Sequence, residues 1–227
     1  RPYRDTRVLA EVFARPLGRV GVVARGGRSA ARGGLAGVLQ PFTPLLVWLG
    51  GRGELATLRT AEAQAPAGVL TGAALATGFY VNELLLRACV REDPHPALFD
   101  AYSGFLGALA RDGVNEPALR GFELTVLREM GYAPVLTHTA AGVPLDGDGC
   151  YAWDAGHGAR AVAPGTAGAI AGAVLLALDQ AALDGTDRSA LRAARDLLRA
   201  ELRVHLGDRP WQSRKLYAVL AGGGQPA

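Results

Sequence analysis

The residues of this sequence best suited to bind a ligand are arginines near the amino terminus. Six of them fall between Glu11 and Glu54, a stretch that contains no acidic residue. They are Arg15, Arg19, Arg25, Arg28, Arg32 and Arg52. Residues 1–66 carry 10 basic and 4 acidic side chains, whereas residues 67–227 carry 14 basic and 17 acidic. Such a basic region on a nearly neutral body is typical of a surface that binds a polyanion, with nucleic acid as first candidate and anionic lipid as second.

Three of these arginines share one glycine-rich segment, VVARGGRSAARGGLAG, from Val22 to Gly37. The segment lacks the Lys-Ser/Thr end of a phosphate-binding loop, so we interpret it as a flexible basic loop that contacts several phosphates. A genome that uses Arg in place of Lys is the alternative explanation, since the chain has a single lysine, Lys215. That bias explains the choice of arginine but not the missing acids.

Two further groups of basic residues lie towards the carboxyl terminus. The phrase DRPWQSRKLY combines Trp211 with Arg209, Arg214 and Lys215, a pattern of basic and aromatic residues that also suits DNA. In a helix predicted over 187–206, five arginines follow at spacings of 4, 3, 4 and 4 and form one stripe, which suits solvent or a ligand anion equally. These are Arg188, Arg192, Arg195, Arg199 and Arg203.

Metal and nucleophile chemistry lack their usual spacings. The nearest metal-like set is His138, Cys150, Asp154 and His157, without a CxxC, HxxxH or HExxH spacing. The sequence also lacks the GxSxG, GxxxxGK[ST] and strand-to-helix GxGxxG signatures. We therefore expect no catalytic residue, no metal and no cofactor.

Composition indicates a folded protein of the cytoplasm. Hydrophobic residues make up 49% of the chain, and no run of 18 apolar residues suggests a membrane span. The first residues show no secretory signal, and two cysteines are too few for a disulfide framework. We expect a cytoplasmic, nucleoid-associated location.

The first third of the chain has the pattern of strands. Apolar runs over 7–14 and 19–26 are separated by Arg15-Pro16-Leu17-Gly18, which predicts a hairpin. A second pair over 39–49 and 54–63 is joined by Gly50-Gly51-Arg52-Gly53, and Pro41 and Pro44 place its first strand at an edge or bulge. Four short strands in about 65 residues match the size of a small barrel. Phe13, Phe42 and Trp48 lie in the apolar runs, and we predict that they belong to the core.

Helical periodicity replaces the strand pattern after Pro66. We predict helices over 69–91, 95–111 and 116–130, then a loop or small hairpin insert over about 132–165. Helices over 166–183 and 187–206 and a short one near 210–220 follow. The predicted fold is α+β, with a barrel domain at 1–66 and a helical domain at 67–227.

Several phrases of the chain together resemble one protein family. In order they are GRVGVVARGGRS, LQPFTPLLVWLGGRGELATLRTAEA, GFYVNELLLR with DPHPALFDAY, EPALRGFELTVLREMGY and HLGDRPWQSRKLY. They resemble the bacterial recombinational repair family RecO, over nearly the whole chain.

The resemblance implies an N-terminal OB-fold, a helical domain and a role without enzyme activity. RecO proteins bind single- and double-stranded DNA, anneal complementary strands and work with RecR. They also bind the acidic, Phe-ended tail of single-stranded-DNA-binding protein, so that RecA can load.

Two departures from the family pattern matter. Many members carry a four-cysteine zinc finger where this chain has residues 137–158, and here only Cys150 is present, so the chain is similar to the zinc-free branch. The family's first barrel strand also lies upstream of the position that corresponds to Arg1. We therefore expect four strands and an open edge.

The resemblance assigns two kinds of site. The family's basic OB loop falls on Arg25, Arg28 and Arg32, with Arg52 in the facing hairpin. We add Arg19, Arg214 and Lys215 to the expected DNA site. The tail site of the family, a hydrophobic pocket with a basic rim, falls on Arg120, with Phe122, Leu127 and Met130 as neighbours that plain core packing would explain as well.

Two other functions stay open at this point. A metal-dependent nuclease or phosphodiesterase would need clustered carboxylates, and a protein-protein adaptor would show no salt-dependent DNA binding.

Overall fold

The computed structural model describes residues 2–3, 7–25, 38–51, 55–64 and 69–220. Strands come first along the chain and helices follow, so the predicted α+β class is confirmed. The chain divides into two compact units, one made of Arg1–Gly113 with Ser213–Ala227 and the other of Val114–Gln212. No described helix combines the length and apolar character that a membrane crossing requires.

The first unit contains a five-stranded sheet. Its strands are β1 (Pro2–Tyr3), β2 (Arg7–Ala14), β3 (Gly18–Arg25), β4 (Leu45–Gly50) and β5 (Ala56–Ala63). They are ordered β1-β2-β3-β5-β4, and every pair is antiparallel except β3 with β5. This order is that of an OB-type barrel, which would close through its first and fourth strands. In the described residues, β1 and β4 are the two edges instead.

The prediction of four strands is wrong by one short strand. Pro2 pairs with Val8 and Tyr3 with Arg7, so two residues extend the sheet beyond β2. The edge of β2 that faces away from β3 offers unpaired backbone donors and acceptors, and the short strand β1 pairs with them.

The predicted β2–β3 hairpin is confirmed, because Ala14 pairs with Gly18 across a three-residue turn. Gly18 has φ +67°, which glycine adopts without a steric cost. A Cβ at this position would also collide with the backbone carbonyl oxygen of Asp93. This turn therefore depends on glycine for its conformation and for its close packing.

Prolines delay the start of β4. We predicted a strand from residue 39, and β4 begins at Leu45, directly after Pro44. Proline cannot donate to a sheet, and Phe42, which lies between Pro41 and Pro44, turns the chain with φ 65°. Pro41 and Pro44 predicted an edge or a bulge for this strand, and the edge position is found. A bulge also interrupts its pairing with β5 between Trp48 and Leu49, away from the two prolines.

The sheet buries a small aliphatic core. Val22 and Ala24 are fully buried, and Val20 and Leu58 are nearly so. Alternate residues of β3 thus face one side, as the period of two in a strand requires.

Three helices complete the first unit: α1 (Gly72–Ala88), α2 (Pro96–Asp112) and α6 (Ser213–Leu220). The ring of Phe13 lies 5.7 Å from Phe99 and 6.1 Å from Tyr102, so β2 packs against α2. Helix α6 packs on α1, where both the backbone N–H and the hydroxyl of Ser213 donate to Glu83 at 2.9 Å. The packing units therefore divide the chain elsewhere than at residue 66, and the predicted domain division stays a prediction.

The second unit contains three helices and a small sheet. They are α3 (Glu116–Glu129), β6 (Cys150–Asp154), β7 (Gly158–Ala161), β8 (Ile170–Ala171), α4 (Gly172–Asp179) and α5 (Arg188–Leu206). The predicted insert is found as the β6–β7 hairpin, with β8 on its other side. The helix predicted over 166–183 is wrong at its start, because Ile170 and Ala171 pair with β6 and the helix begins only at Gly172.

Candidate nucleic-acid interface

Most of the predicted DNA-binding arginines lie outside the described residues. Arg28, Arg32 and Arg52 do so entirely, and Arg25 does so for its side chain. Their attachment points are described. Arg25 ends β3 three residues beyond Val22, and Val22 pairs with Ala56, the first residue of β5. The first arginine segment thus starts at Arg25, and the second ends shortly before Ala56. At about 3.3 Å per residue along a strand and 4.8 Å between strands, the Cα atoms of these two residues are about 11 Å apart.

Arg19 already has partners within the protein. Its Nε lies 3.3 Å from the Glu11 carboxylate, and its Nη1 donates to the backbone carbonyl of Leu86 in α1. Glu11 also pairs with Arg91, just beyond that helix. Arg19 therefore joins the sheet to α1, and its assignment to the DNA site stays an untested prediction.

Arg15 is also neutralised. Its Nε and Nη2 donate to the two carboxylate oxygens of Asp100 at 2.9 and 3.0 Å. The hydrogen bond from Arg15 holds the pKa of Asp100 below its ordinary value. The absence of acidic residues between Glu11 and Glu54 suggested that no carboxylate neutralises the arginines there. This is wrong for Arg15 and Arg19, because Arg15 pairs with Asp100, 85 residues further along the chain, and Arg19 pairs with Glu11, just before the stretch. The side chains of Arg25, Arg28, Arg32 and Arg52 lie outside the described residues, so for them the expectation stays a prediction.

Arg214 and Lys215 occupy the first turn of α6 and are both exposed. Ser213 holds this end of the helix against α1 through its two hydrogen bonds to Glu83. The two cations are therefore presented to solvent by an anchored helix of the first unit.

The aromatic residues of the sheet region divide into two kinds. Phe13 packs on α2 and Phe42 lies 5.1 Å from Phe79 of α1, so both rings contact helices, although both residues are only half-buried. Trp48 differs, since 44% of its surface is exposed. The prediction of a core Trp48 is wrong because five consecutive apolar residues, Leu45–Leu49, give no sign of which alternate set faces inward.

The predicted tail site lies on α3 in the second unit, and most of it is buried. Arg120 and Phe122 are each 5% exposed and Leu127 is 1% exposed, while Met130 is half-buried at the end of the helix. Arg120 Nη1 lies 2.9 Å from Glu123 Oε2, close enough for an ion pair. Nε and Nη1 of Arg120 nevertheless make no well-directed hydrogen bond within the described residues. The guanidinium is therefore buried with donors to spare.

Comparison with known families decides where the chain belongs. A family model described as Recombination protein O N terminal matches residues 1–67, and one described as Recombination protein O C terminal matches residues 70–215. This chain belongs to the Recombination protein O family. The resemblance to RecO is thus confirmed, and so is the OB-fold class of the N-terminal domain.

Individual RecO proteins match nearly end to end. DNA repair protein RecO of Alkalilimnicola ehrlichii is 43% identical over 225 residues, which cover 97% of this chain and 88% of that protein. The protein of the same name from Laribacter hongkongensis is 43% identical and covers 97% and 90%. That of Shigella flexneri is 42% identical and covers 96% and 89%. These relatives support a role in DNA repair.

The insert of this RecO chain does not gather its metal-like residues. His157 Nδ1 lies 3.6 Å from Asp154 Oδ2, and both side chains are about three-quarters exposed. Across the described parts of the chain, no three His, Cys, Asp or Glu side chains are close enough to share a metal ion.

The arginine stripe of α5 is largely exposed. Arg188, Arg192, Arg199 and Arg203 are exposed, whereas Arg195 is mostly covered and lies 3.0 Å from Asp196. The opposite face buries Leu198 and Leu202. The predicted stripe is therefore found on the exposed side of the helix, with Arg195 partly covered.

Proposed function

We propose that this chain is a recombination mediator that binds single- and double-stranded DNA through the basic segments of its OB-fold. Arg25, Arg28, Arg32 and Arg52 form the main phosphate contacts, with Arg214 and Lys215 as a second set. The observation that carries the proposal is the attachment of both arginine segments to neighbouring strands, about 11 Å apart. Because β3 and β5 run parallel, one segment follows the end of β3 and the other precedes the start of β5, so a DNA backbone that runs along these two strands can contact both.

DNA held by phosphate contacts keeps its bases free, and this property favours annealing. We infer that the chain brings complementary strands together and works with RecR in loading RecA onto strands coated with single-stranded-DNA-binding protein. Family membership supports this role. Such work places the protein at the nucleoid.

The partner's acidic, Phe-ended tail would bind on α3. We propose that its carboxylate approaches Arg120 and replaces Glu123 as the partner of the guanidinium, with Phe122, Leu127 and Met130 around the apolar end of the peptide. The spare donors of Arg120 support this assignment, since a planar guanidinium can bind a carboxylate through two parallel hydrogen bonds.

Fluorescence anisotropy with labelled single strands and duplexes tests the DNA proposal. We expect binding that weakens steeply between about 50 and 200 mM salt, on the order of the losses typical of multiple phosphate contacts. A Kd that does not change with salt would favour the adaptor function instead.

Incubation of complementary labelled strands with Mg²⁺ separates a mediator from a nuclease. We expect faster duplex formation with both strands intact. Shortened strands would contradict the proposal and indicate a metal-dependent nuclease.

A further inference from the structure

The outer face of β4 carries two large apolar side chains that are left in contact with water. Leu46 is 47% exposed and Trp48 is 44% exposed, whereas Val47 and Leu49 pack against the core of the sheet. Trp48 therefore contributes to the fold with only part of its surface. An indole ring on an outward face of an edge strand suits a ligand with a flat apolar surface.

A guanidinium lies beside this ring. Trp48 pairs with Thr60 and the next residue, Leu49, pairs with Leu58, so Arg59 is the extra residue of the bulge in β5. Arg59 is exposed, and its side chain lies over Gly50, where an added Cβ would collide with Nε. Gly50 is two residues from Trp48 on the same strand, so both positions share one face. The indole and the guanidinium thus adjoin on that face.

The charge of this face is distributed unevenly. The only carboxylate in the sequences of β4 and β5 is Glu62, which pairs with Leu46. It lies two residue pairs further from the bulge than Trp48, about 7 Å along the strand. An anion would therefore be attracted to the Arg59 end of the face, next to the ring.

An unpaired nucleotide combines the two features that this face recognises, a flat base and an anionic phosphate. Base stacking on aromatic side chains with nearby arginine is the usual way in which proteins bind single strands. The base faces of a duplex are already stacked on each other and cannot cover the indole. The excess of basic residues over residues 1–66 favours a polyanion over a basic or neutral protein partner, and the exposed ring favours an anion that carries flat bases.

We propose that Trp48 is a stacking platform for one unpaired nucleobase and that Arg59 binds the adjacent phosphate, which together form a subsite specific for single strands. The subsite rests on the proposed DNA-binding function and adds a preference that the phosphate contacts alone do not provide. Gly50 is part of it, because a Cβ at this position would meet the Arg59 guanidinium and displace it from its place beside the ring.

Three ligands of equal length separate stacking from charge: a single strand, a duplex, and a single strand whose sugars lack bases. We expect Trp48→Ala to weaken binding of the ordinary single strand about 5-fold or more, the lower value for removal of one base stack. Binding of the abasic strand and the duplex should be unchanged. Trp48→Phe should restore most of the affinity, because it retains a ring.

Leu17→Ala is the matched control, since Leu17 is also an exposed apolar residue of the sheet region, at 46%, but lies in the β2–β3 turn. It should leave all three affinities unchanged. Arg59→Ala should lower the salt slope for the single strand by about 0.7, the value of one phosphate contact. Arg59→Lys should restore that slope.

The proposal is overturned if Trp48→Ala weakens the single strand and the abasic strand equally, or neither. The unaltered protein provides a test without any substitution, because equal affinity for ordinary and abasic strands also overturns stacking. Failure of the unaltered protein to bind any DNA would overturn the proposed function itself, and with it the subsite. Circular dichroism checks that Trp48→Ala is folded. If it is not, Trp48→Phe and the comparison of ordinary with abasic strands on the unaltered protein test the proposal instead.

Discussion

Replacing Glu123 by glutamine tests whether Arg120 can serve an incoming carboxylate. Within α3, Nη1 of Arg120 lies 2.9 Å from Oε2 of Glu123, and the two side chains are 6% and 1% exposed. Glutamine retains the size of the side chain and removes its charge, so the buried guanidinium loses its counter-ion. Removing one partner of a buried ion pair costs about 3–5 kcal/mol, and we expect about 3 kcal/mol because the amide keeps a polar oxygen beside the guanidinium.

The same substitution should strengthen binding of the tail peptide. In the unaltered protein the peptide carboxylate must displace Glu123, and in Glu123→Gln it meets an uncompensated cation. A hydrogen bond to a charged group contributes about 1.5–3 kcal/mol, which corresponds to about 10-fold or more in Kd. Urea unfolding measures the stability loss, and calorimetric titration with an acidic peptide ending in Phe measures the affinity.

Glu116→Gln is the control, because it removes one negative charge from the first turn of the same helix. We expect little change in stability or affinity. If Glu123→Gln loses stability while its peptide affinity stays equal to that of Glu116→Gln, Arg120 is an internal ion pair only, and the reasoning about the tail site is refuted.

Three further predictions concern the scaffold. Gly18→Ala should lower the free energy of unfolding by more than about 2 kcal/mol, since its φ of +67° is costly for alanine and its Cβ meets the Asp93 carbonyl. Gly131→Ala, with φ +75° at the end of α3 and open space around the added Cβ, should lose only about 1–2 kcal/mol in urea unfolding. The Glu201 carboxylate accepts from Trp153 Nε1 at 2.8 Å and from the Gly156 N–H at 3.1 Å. Glu201→Leu leaves both donors unpaired and should lower the free energy of unfolding in urea by about 3 kcal/mol, whereas Glu201→Gln keeps an acceptor oxygen and should lower it clearly less. The N-terminal cap of α5 should be pH-sensitive, because the N–H of Ala190 and the hydroxyl of Ser189 lower the pKa of Asp187 below its ordinary value of 3.8. The ionised carboxylate therefore stabilises the folded protein above about pH 4, and this stabilisation is lost as pH falls through the folded pKa. The Tm of the unaltered protein should exceed that of Asp187→Asn at neutral pH, and the difference should shrink at low pH. A Tm difference that stays constant from about pH 6 to about pH 3 would contradict this.

Local chemistry made much of the scaffold predictable from sequence. Arg15-Pro16-Leu17-Gly18 predicted the β2–β3 turn, because proline fixes a φ angle that suits a turn and glycine adopts the positive φ that a chain reversal needs. The start of α3 is also set locally, because Asn115 precedes the helix and its side chain accepts from the Ala118 N–H at 3.1 Å. In these places the residues that determine the structure are adjacent in sequence.

Features that depend on distant residues were not predictable. The parallel pairing of β3 with β5 joins residues more than about 30 positions apart, and no single-sequence pattern specifies it. The neutralisation of Arg15 by Asp100 depends on how α2 packs against the sheet. The exposure of Trp48 depends on which face of an apolar strand meets the core. The charge pattern therefore gave no sign that Arg15 and Arg19 are paired with carboxylates.

The salt dependence of single-strand binding, measured by fluorescence anisotropy in matched arginine variants, tests the central claim most directly. Arg25→Ala, Arg28→Ala and Arg32→Ala together should reduce the magnitude of the slope by about 2, or about 0.7 for each phosphate that is no longer bound. Arg28→Ala alone should reduce it by about 0.7, whereas Arg15→Ala, which removes the same charge from an arginine already paired with Asp100, should leave it unchanged. Equal slopes in the triple variant and the unaltered protein would contradict the account.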